Sequence, residues 1–240
     1  MNISKYTKPA RKLLPLRYCG AVIVAAGSAS RMGGIDKVMA ELKGEPMIVH
    51  TVRAFQNCDA IKEIVIVTRY DLILPITKLT NGFHKVTAVV AGGSSRQESV
   101  ALGMNALSDK CELAAIQDGA RPLVTWQLID RVVRAAHAHH AAIPVIPVKD
   151  TIKVCNSALV ESTPDRATLR AVQTPQVFDF DLLRGALKKA AEDGAEVTDD
   201  CSAVERLGMS VRTVEGDERN LKVTTPFDLK IAEMLMEETV

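Results

Sequence analysis

Residues 20–37 read Gly-Ala-Val-Ile-Val-Ala-Ala-Gly-Ser-Ala-Ser-Arg-Met-Gly-Gly-Ile-Asp-Lys. The run Ala21–Ala26 predicts a buried strand, and it feeds a loop of glycine and very small residues. Two cations follow, Arg31 and Lys37. Glycine has no Cβ, so the backbone N–H groups of such a loop can approach a polyphosphate closely. Fixed cations beside it can neutralise the charge that develops as one phosphate bond forms and another breaks. The spacing departs from the two commoner phosphate loops. G-x-x-x-x-G-K-[ST] fails at Met32, and G-x-G-x-x-G fails at Ala29 and Met32. Taken alone, the stretch also fits a glycine-rich turn with an Arg and a Lys on its surface.

Outward from this strand, apolar runs and helical patterns alternate. Ile61–Thr68, Lys85–Ala91, Leu113–Gln117 and Ala142–Val148 are nearly continuous apolar stretches. Runs of that kind suit strands covered on both faces, as in a parallel sheet. Between them, Ile48, Val49, Val52 and Phe55 repeat on one helical face after Pro46, which suits a first helical position. Arg96–Leu107 offers Val100, Met104 and Leu107. Thr125 can cap a helix whose stripe is Leu128, Ile129, Val132, Val133 and Ala136. The alternation predicts an α/β fold with a doubly wound, mostly parallel sheet and right-handed crossovers. Ligands of such sheets bind at the carboxyl ends of the strands. The segments 27–37, 92–96 and 118–122 are therefore the candidate functional loops.

Residues 148–172 break the rhythm. Val148–Val154 alternates in polarity, Asn156 and Ser157 supply a turn, and Leu159–Ser162 follows. This predicts a β-hairpin arm projecting from the sheet, a candidate for contact between copies of the chain. Helices are expected at Asp179–Glu192, ended by Gly194, and at Asp199–Leu207, ended by Gly208. A strand at Ser210–Val214 and a last helix, with Thr225 as cap and Pro226 at its first position, complete the pattern.

Composition narrows the function classes. The 240 residues suit one large α/β domain, read as residues 20–240 with the arm included. Residues 1–19 hold five cations and no acid, and read as a basic extension. The remainder carries 25 basic against 29 acidic residues. The formal net charge of +1 gives no global field favouring nucleic acid or a membrane surface. No run reaches membrane-spanning length, and Leu13-Leu14 before Pro15 is too short for a signal-peptide core. Five dispersed cysteines without a C-x-x-C suit reduced thiols and a cytoplasmic location. His137, His139 and His140 lack a carboxylate or cysteine at ligand spacing, so they read as a solvated helix end rather than a zinc site.

Other constellations stay open at this level. Gly92-Gly93-Ser94-Ser95-Arg96-Gln97-Glu98-Ser99 fits a base-edge contact and a plain helix cap equally well. Asp118-Gly119-Ala120-Arg121-Pro122 is either a ligand-side loop or an Asp-Gly turn stiffened by proline. Thr198 and Asp199 can act as a cap. An Arg and a Lys from distant parts of the chain can together clamp a phosphate, the Arg as a fork and the Lys as a point charge.

In order along the chain stand Ala25-Ala26-Gly27 with Arg31 and Lys37, Gly92-Gly93 with Arg96-Gln97 and Ser99-Val100, and Asp118 with Ala120-Arg121-Pro122. Then come Asp150-Thr151, Asp165-Arg166, Thr174-Pro175-Gln176, Thr198-Asp199 with Ser202-Ala203 and Glu205, and Lys222-Val223-Thr224. On these motifs the chain, from about Gly20 to Met236, resembles the 2-C-methyl-D-erythritol 4-phosphate cytidylyltransferase family of the non-mevalonate isoprenoid pathway. The resemblance implies a Rossmann-like nucleotidyltransferase fold. It implies transfer of CMP from CTP to methylerythritol phosphate, with Mg²⁺ held mainly by the CTP phosphates and no protein metal ligand. Carried over position by position, Arg31 and Lys37 would stabilise the α-phosphate and the leaving pyrophosphate. Arg166 and Lys222 would hold the attacking phosphate. Ala25, Ala26, Gly27, Gly93 and Ser99 would contact the cytidine, and Asp118, Arg121, Thr151, Thr174 and Thr198 would line the polyol phosphate pocket. The family's arm reaches into a neighbouring subunit, which implies a homodimer whose Thr151 and Arg166 serve the partner's site.

This chain departs from the family's pattern at Ala29, Ser94, Gln117 and Gly119, and none of these removes a charge from the implied reaction. Two other readings share the fold: a ribitol 5-phosphate cytidylyltransferase and a non-catalytic nucleotide-binding protein. Ala25-Ala26-Gly27 and the run 198–205 favour methylerythritol phosphate over ribitol phosphate, and the retained Arg31, Lys37, Arg166 and Lys222 favour an enzyme over a binder.

Overall fold

The computed structural model describes residues 15–27 and 36–237. In chain order the elements are β1 (Cys19–Ala25), β2 (Glu41–Leu42), β3 (Glu45–Pro46), α1 (Met47–Gln56), β4 (Ile61–Thr68), α2 (Ile73–Thr80), β5 (Val86–Ala91), α3 (Arg96–Asn105), β6 (Leu113–Asp118) and α4 (Trp126–His139). There follow β7 (Ala141–Pro147), β8 (Val154–Asn156), β9 (Leu159–Ser162), β10 (Arg170–Val172), β11 (Gln176–Asp179), α5 (Phe180–Glu192), α6 (Asp200–Glu205), β12 (Arg212–Glu215) and α7 (Pro226–Glu237).

The apolar runs pair as a sheet: β1, β4 and β6 are buried on both faces, whereas β5, at the edge, is only partly covered. Side chains alternate across a strand. Ala21 and Ile23 of β1 therefore join α1 and α4 in one apolar cluster, and Val22 joins α3, α5 and α6 in another. The result is a three-layer α/β/α arrangement. In α4 the buried stripe is Leu128, Ile129, Val132, Val133 and Ala136, the five positions that the helical period selects, and Thr125 caps its start by accepting from the Leu128 N–H. Burial of each of the Leu, Ile and Val side chains contributes about 1.5–3 kcal/mol.

Strands β6, β1, β4 and β5 run parallel in that order. Beside β6 the order is interrupted. β11 inserts antiparallel between β6 and β7, and β10 continues along the same edge of β7. β12 closes the far edge, parallel to β7. The sheet is thus mostly parallel, with β10 and β11 as the two reversed strands.

The arm is smaller than the sequence suggests. Only β8 and β9 pair, as a separate two-stranded ribbon, and residues 149–153 are not strand. Ser157 turns the ribbon with a positive φ of 53°. Pro46 ends β3 and precedes α1 rather than opening it. The apolar period does not announce α2, because Pro75 falls in its first turn and only Ile76 and Thr80 are buried. Residues ahead of β1 already join the body: Tyr18 O accepts from Leu113 N, and Arg17 pairs with Asp179 at 2.6 Å. Among the described residues, no helix is long and apolar enough to cross a membrane.

Candidate active site

The carboxyl ends of β1, β4, β5 and β6 form one rim, and the loops that leave β1, β5 and β6, together with Lys222, line a cavity of about 410 Å³. β1 delivers Ala25, Ala26 and Gly27 to its floor. Close approach of the neighbouring loop requires Gly92. A Cβ there would meet Ala26 Cβ at 2.5 Å and Ser99 Oγ at 2.8 Å. Gly92 N donates to Thr68 O (2.7 Å), and Gly93 N donates to Ser99 Oγ (3.1 Å). The Ser99 hydroxyl in turn donates to Ser95 O (2.8 Å).

Helix α3 starts at this wall. Ser95 caps it by accepting from Glu98 N (3.1 Å), and the Glu98 carboxylate accepts from both the N–H and the hydroxyl of Ser94 (2.7 Å each). The capping alternative for 94–95 therefore holds, and the same turn also lines the cavity.

The opposite wall is charged. Asp118, at the end of β6, lies 2.8 Å from Lys222 Nζ, 3.7 Å from Arg96 and 3.6 Å from Arg121. Burial works against ionisation of Asp118, but Lys222 and Arg96, with help from Arg121, outweigh it and hold the carboxyl below the usual range. Arg96 also binds the fully buried Asp200 at 2.8 Å. Burial disfavours the Arg96 charge, yet Asp200, Asp118 and Asp199 more than compensate and keep it firmly protonated. Lys222 is carried by a loop tied down at several points. Val223 N donates to Ala120 O (2.8 Å), Arg121 Nη1 donates to Asn220 O (2.6 Å), and Asn220 Nδ2 donates to Thr174 O (2.9 Å).

Lys37 enters from the third side, in a single turn of 3-10 helix (Lys37–Met39) capped by the Asp36 carboxylate on Val38 N at 3.0 Å. The cavity lining thus sets three cations, Lys37, Arg96 and Lys222, against one carboxylate. That imbalance, beside a floor of small residues, suits a polyphosphate.

Of the residues singled out in the sequence, the structure gathers Ala25, Ala26, Gly27, Lys37, Gly93, Ser99, Asp118 and Lys222 around this one cavity. Thr174 and Arg121 stand directly behind Asp118. The Thr174 hydroxyl accepts from Asp118 N (3.1 Å), and both side chains are buried. Thr198 is exposed just ahead of the cap residue Asp199 and does not reach the lining. Thr151 and Arg166 lie on the arm, outside the cavity. Arg166 donates to Lys149 O (2.8 Å) beside Arg170 in an open basic depression. Arg31 lies outside the described residues. Arg96 stands in the 92–99 motif, yet its sequence alone marks no site role. The signal for it is an Arg at the first position of a helix that begins on the ligand side of the sheet. A cavity of about 490 Å³ between α3 and α5 has a mainly apolar wall, including Ala101, Met104 and Leu187; it takes Ser95, Gln97 and Glu98 from the 92–99 turn but none of the residues given a site role from the sequence.

The sequence model of the 2-C-methyl-D-erythritol 4-phosphate cytidylyltransferase family matches residues 19–238. A protein of that name from Symbiobacterium thermophilum is 45% identical over 219 residues, covering 90% of this chain and 92% of the relative. One from Caldanaerobacter subterraneus is 43% identical over 223 residues, covering 90% and 97%. Among solved structures, 4-diphosphocytidyl-2C-methyl-D-erythritol synthase from Anaerococcus prevotii superposes with a TM-score of 0.83 at 28% identity, covering 92% of this chain and 96% of that one. The 2-C-methyl-D-erythritol 4-phosphate cytidylyltransferase from Thermus thermophilus gives 0.76 at 33%, covering 92% and 99%. With the match running from the first residue of β1 to the end of α7 and so spanning every wall of the cationic cavity, the chain belongs to the 2-C-methyl-D-erythritol 4-phosphate cytidylyltransferase family.

Proposed function

We propose that this chain transfers CMP from CTP to 2-C-methyl-D-erythritol 4-phosphate, giving 4-diphosphocytidyl-2-C-methyl-D-erythritol and pyrophosphate. The observation that carries the reading is the set of three cations, Lys37, Arg96 and Lys222, around the small-residue floor Ala25–Gly27. An oxygen of the alcohol's phosphate attacks the CTP α-phosphorus. The new P–O bond forms as the bond to the β-phosphate oxygen breaks, and the electron pair leaves with pyrophosphate. No protein nucleophile is needed, so catalysis is positioning and charge stabilisation.

In this reading Arg31 and Lys37 stabilise the α-phosphate and the leaving group. Lys222 holds the attacking phosphate from the Asp118 side. The Gly93 turn and Ser99 face the base, and Asp118, Arg121 and Thr174 shape or back the alcohol pocket. Arg96, pinned by Asp200, adds a fixed charge between the two substrates.

Mg²⁺, which the resemblance implies, finds no ready protein cage. Among the described residues, the one carboxylate lining the cavity, Asp118, faces Lys222 and Arg96, and no group of three His, Cys, Asp or Glu that could hold a metal occurs. We therefore assign the ion to the CTP phosphates, in keeping with a cation that binds through substrate phosphates and retains its waters.

The arm serves a second subunit in this reading. β8 and β9 expose Leu159 and Val160 (76% and 60%) on a ribbon that packs in no layer of the sheet, and Thr151 and Arg166 lie away from the chain's own cavity. A homodimer that exchanges arms would cover the apolar pair and complete each site. Residues 20–240 act as one catalytic unit, and Arg17, Tyr18 and Cys19 of the basic segment 1–19 belong to its body rather than to an extension. The five unpaired cysteines support a cytoplasmic enzyme.

Purified protein assayed for pyrophosphate release, with four nucleoside triphosphates against methylerythritol 4-phosphate and ribitol 5-phosphate, tests the reading. CTP with methylerythritol phosphate is the expected best pair. A preference for ribitol phosphate would reject the substrate assignment, and no release from any pair would reject the enzyme.

A further inference from the structure

We propose that Arg69 is a positioning residue for the nucleotide cavity, its guanidinium bridging Asp36 and Asp71 so that Lys37 is fixed in place and the Asp36 charge is masked from the incoming triphosphate. The proposal rests on the nucleotidyl-transfer reading for its kinetic consequence, though not for its structural one.

Arg69 is the first residue after β4, and its base is firmly held. Thr68 O accepts from Gly92 N (2.7 Å), and the Thr68 hydroxyl reaches Ala25 O (3.5 Å), so Arg69 leaves the sheet between the two loops that floor the cavity. Its side chain then divides between two acids. Nε and Nη2 form a fork on Asp71 (3.0 and 2.8 Å), and Nη1 donates to Asp36 Oδ2. Asp36 uses its other oxygen to cap the turn that begins at Lys37.

The partner that matters is the sheltered one. The Asp36 side chain is 11% exposed, whereas Asp71 is 64% exposed and its pairing alone is worth little. Asp36 is also adjacent in sequence to Lys37, a cavity-lining cation. A bare carboxylate next to a polyphosphate site repels the ligand, and a mobile one no longer caps the turn. Arg69 answers both problems. Its fork on Asp71 orients the planar guanidinium so that the remaining N–H is directed at Asp36, a division of donors that a lysine ammonium cannot reproduce.

The test compares Arg69→Ala, Arg69→Lys and Asp36→Asn with the wild-type chain. In Arg69→Ala, backbone amide hydrogen exchange at Val38 and Met39 is expected to accelerate by about tenfold, with the β4 amides of Ile64–Val67 unchanged. kcat/KM for CTP is expected to fall about tenfold, with KM for the alcohol phosphate held within about twofold. Arg69→Lys should fall between Arg69→Ala and wild type. In the Asp36→Asn background, where the cap is kept and the charge removed, Arg69→Ala should cost far less. Wild-type exchange at Val38 and Met39 in Arg69→Ala would overturn the proposal, and so would an equal loss in both Asp36 backgrounds. Absence of pyrophosphate release from the wild-type protein would sink the proposed function instead, leaving hydrogen exchange to decide the Arg69 bridge.

Discussion

Lys222 Nζ sits 2.8 Å from Asp118 Oδ2, although 104 positions separate the two in sequence, and the pair joins the end of β6 to the loop that precedes α7. Asp118 is thereby made the common counter-ion of Lys222, Arg96 and Arg121. Asp118→Asn is expected to leave these three cations under-compensated, to lower kcat/KM for the alcohol phosphate by more than tenfold, and to shift KM for CTP much less. Steady-state kinetics with each substrate varied in turn checks this. Equal changes in both constants would remove Asp118 from the alcohol side.

The same carboxylate gives a pH dependence with a definite sign. Its pKa is depressed in the folded chain, so its contribution to stability is fully present above the unfolded-state value of about 3.9 and is lost as pH falls through the lower folded value. Urea midpoints measured from pH 6 down to pH 3 should fall more gently in Asp118→Asn than in wild type. Parallel profiles would contradict the depressed pKa.

Lys37→Ala is expected to act chiefly on turnover. Loss of one preorganised donor to a developing oxyanion costs roughly 2.7–4 kcal/mol of barrier. Unchanged kcat at saturating CTP would take Lys37 out of the reaction.

Arm exchange makes an all-or-none prediction. Arg166→Ala alone should raise KM for the alcohol phosphate more than KM for CTP. Mixing Arg166→Ala chains with Lys37→Ala chains, followed by subunit exchange, should restore activity, because one site of each mixed dimer then has an intact Lys37 and an intact partner arm. No recovery in mixed dimers shown by mass to have formed would place Arg166 in its own chain's site or outside the reaction.

Gly92→Ala is expected to destabilise the protein by about 1–3 kcal/mol and to raise KM for CTP, since the added Cβ meets Ala26 Cβ at 2.5 Å and Ser99 Oγ at 2.8 Å. Thermal melts alongside CTP titration check both effects. A melt and KM at wild-type values would mean that the loop yields without cost.

Much of this was legible in the residues, for reasons that differ by element. Strand β4 and the α4 stripe follow from period alone, because nothing in their environment competes with burial. The cavity floor was legible only in company: Ala25–Gly27 alone also fits a plain turn, and it is their place at the carboxyl end of a buried strand, with the later motifs, that marks a ligand side. β11 was not, since four residues behind Pro175 carry too short a pattern to reveal a strand that reverses direction between β6 and β7. Arg96 escaped assignment because a cap at Ser95 accounts for its local sequence, and its importance comes from Asp200, 104 residues away. In the proposed dimer the arm meets a second subunit, a contact that a single chain's pattern does not encode.

β10 pairs with the last residues of β7, Arg170 opposite Pro147, so the excursion between them returns to the point from which it left. Additions or deletions near the hairpin tip are therefore absorbed beyond that closure, and the sheet register that aims Asp118 is insulated from them. Evolution is free to retune the arm's length without re-engineering the sheet at its root.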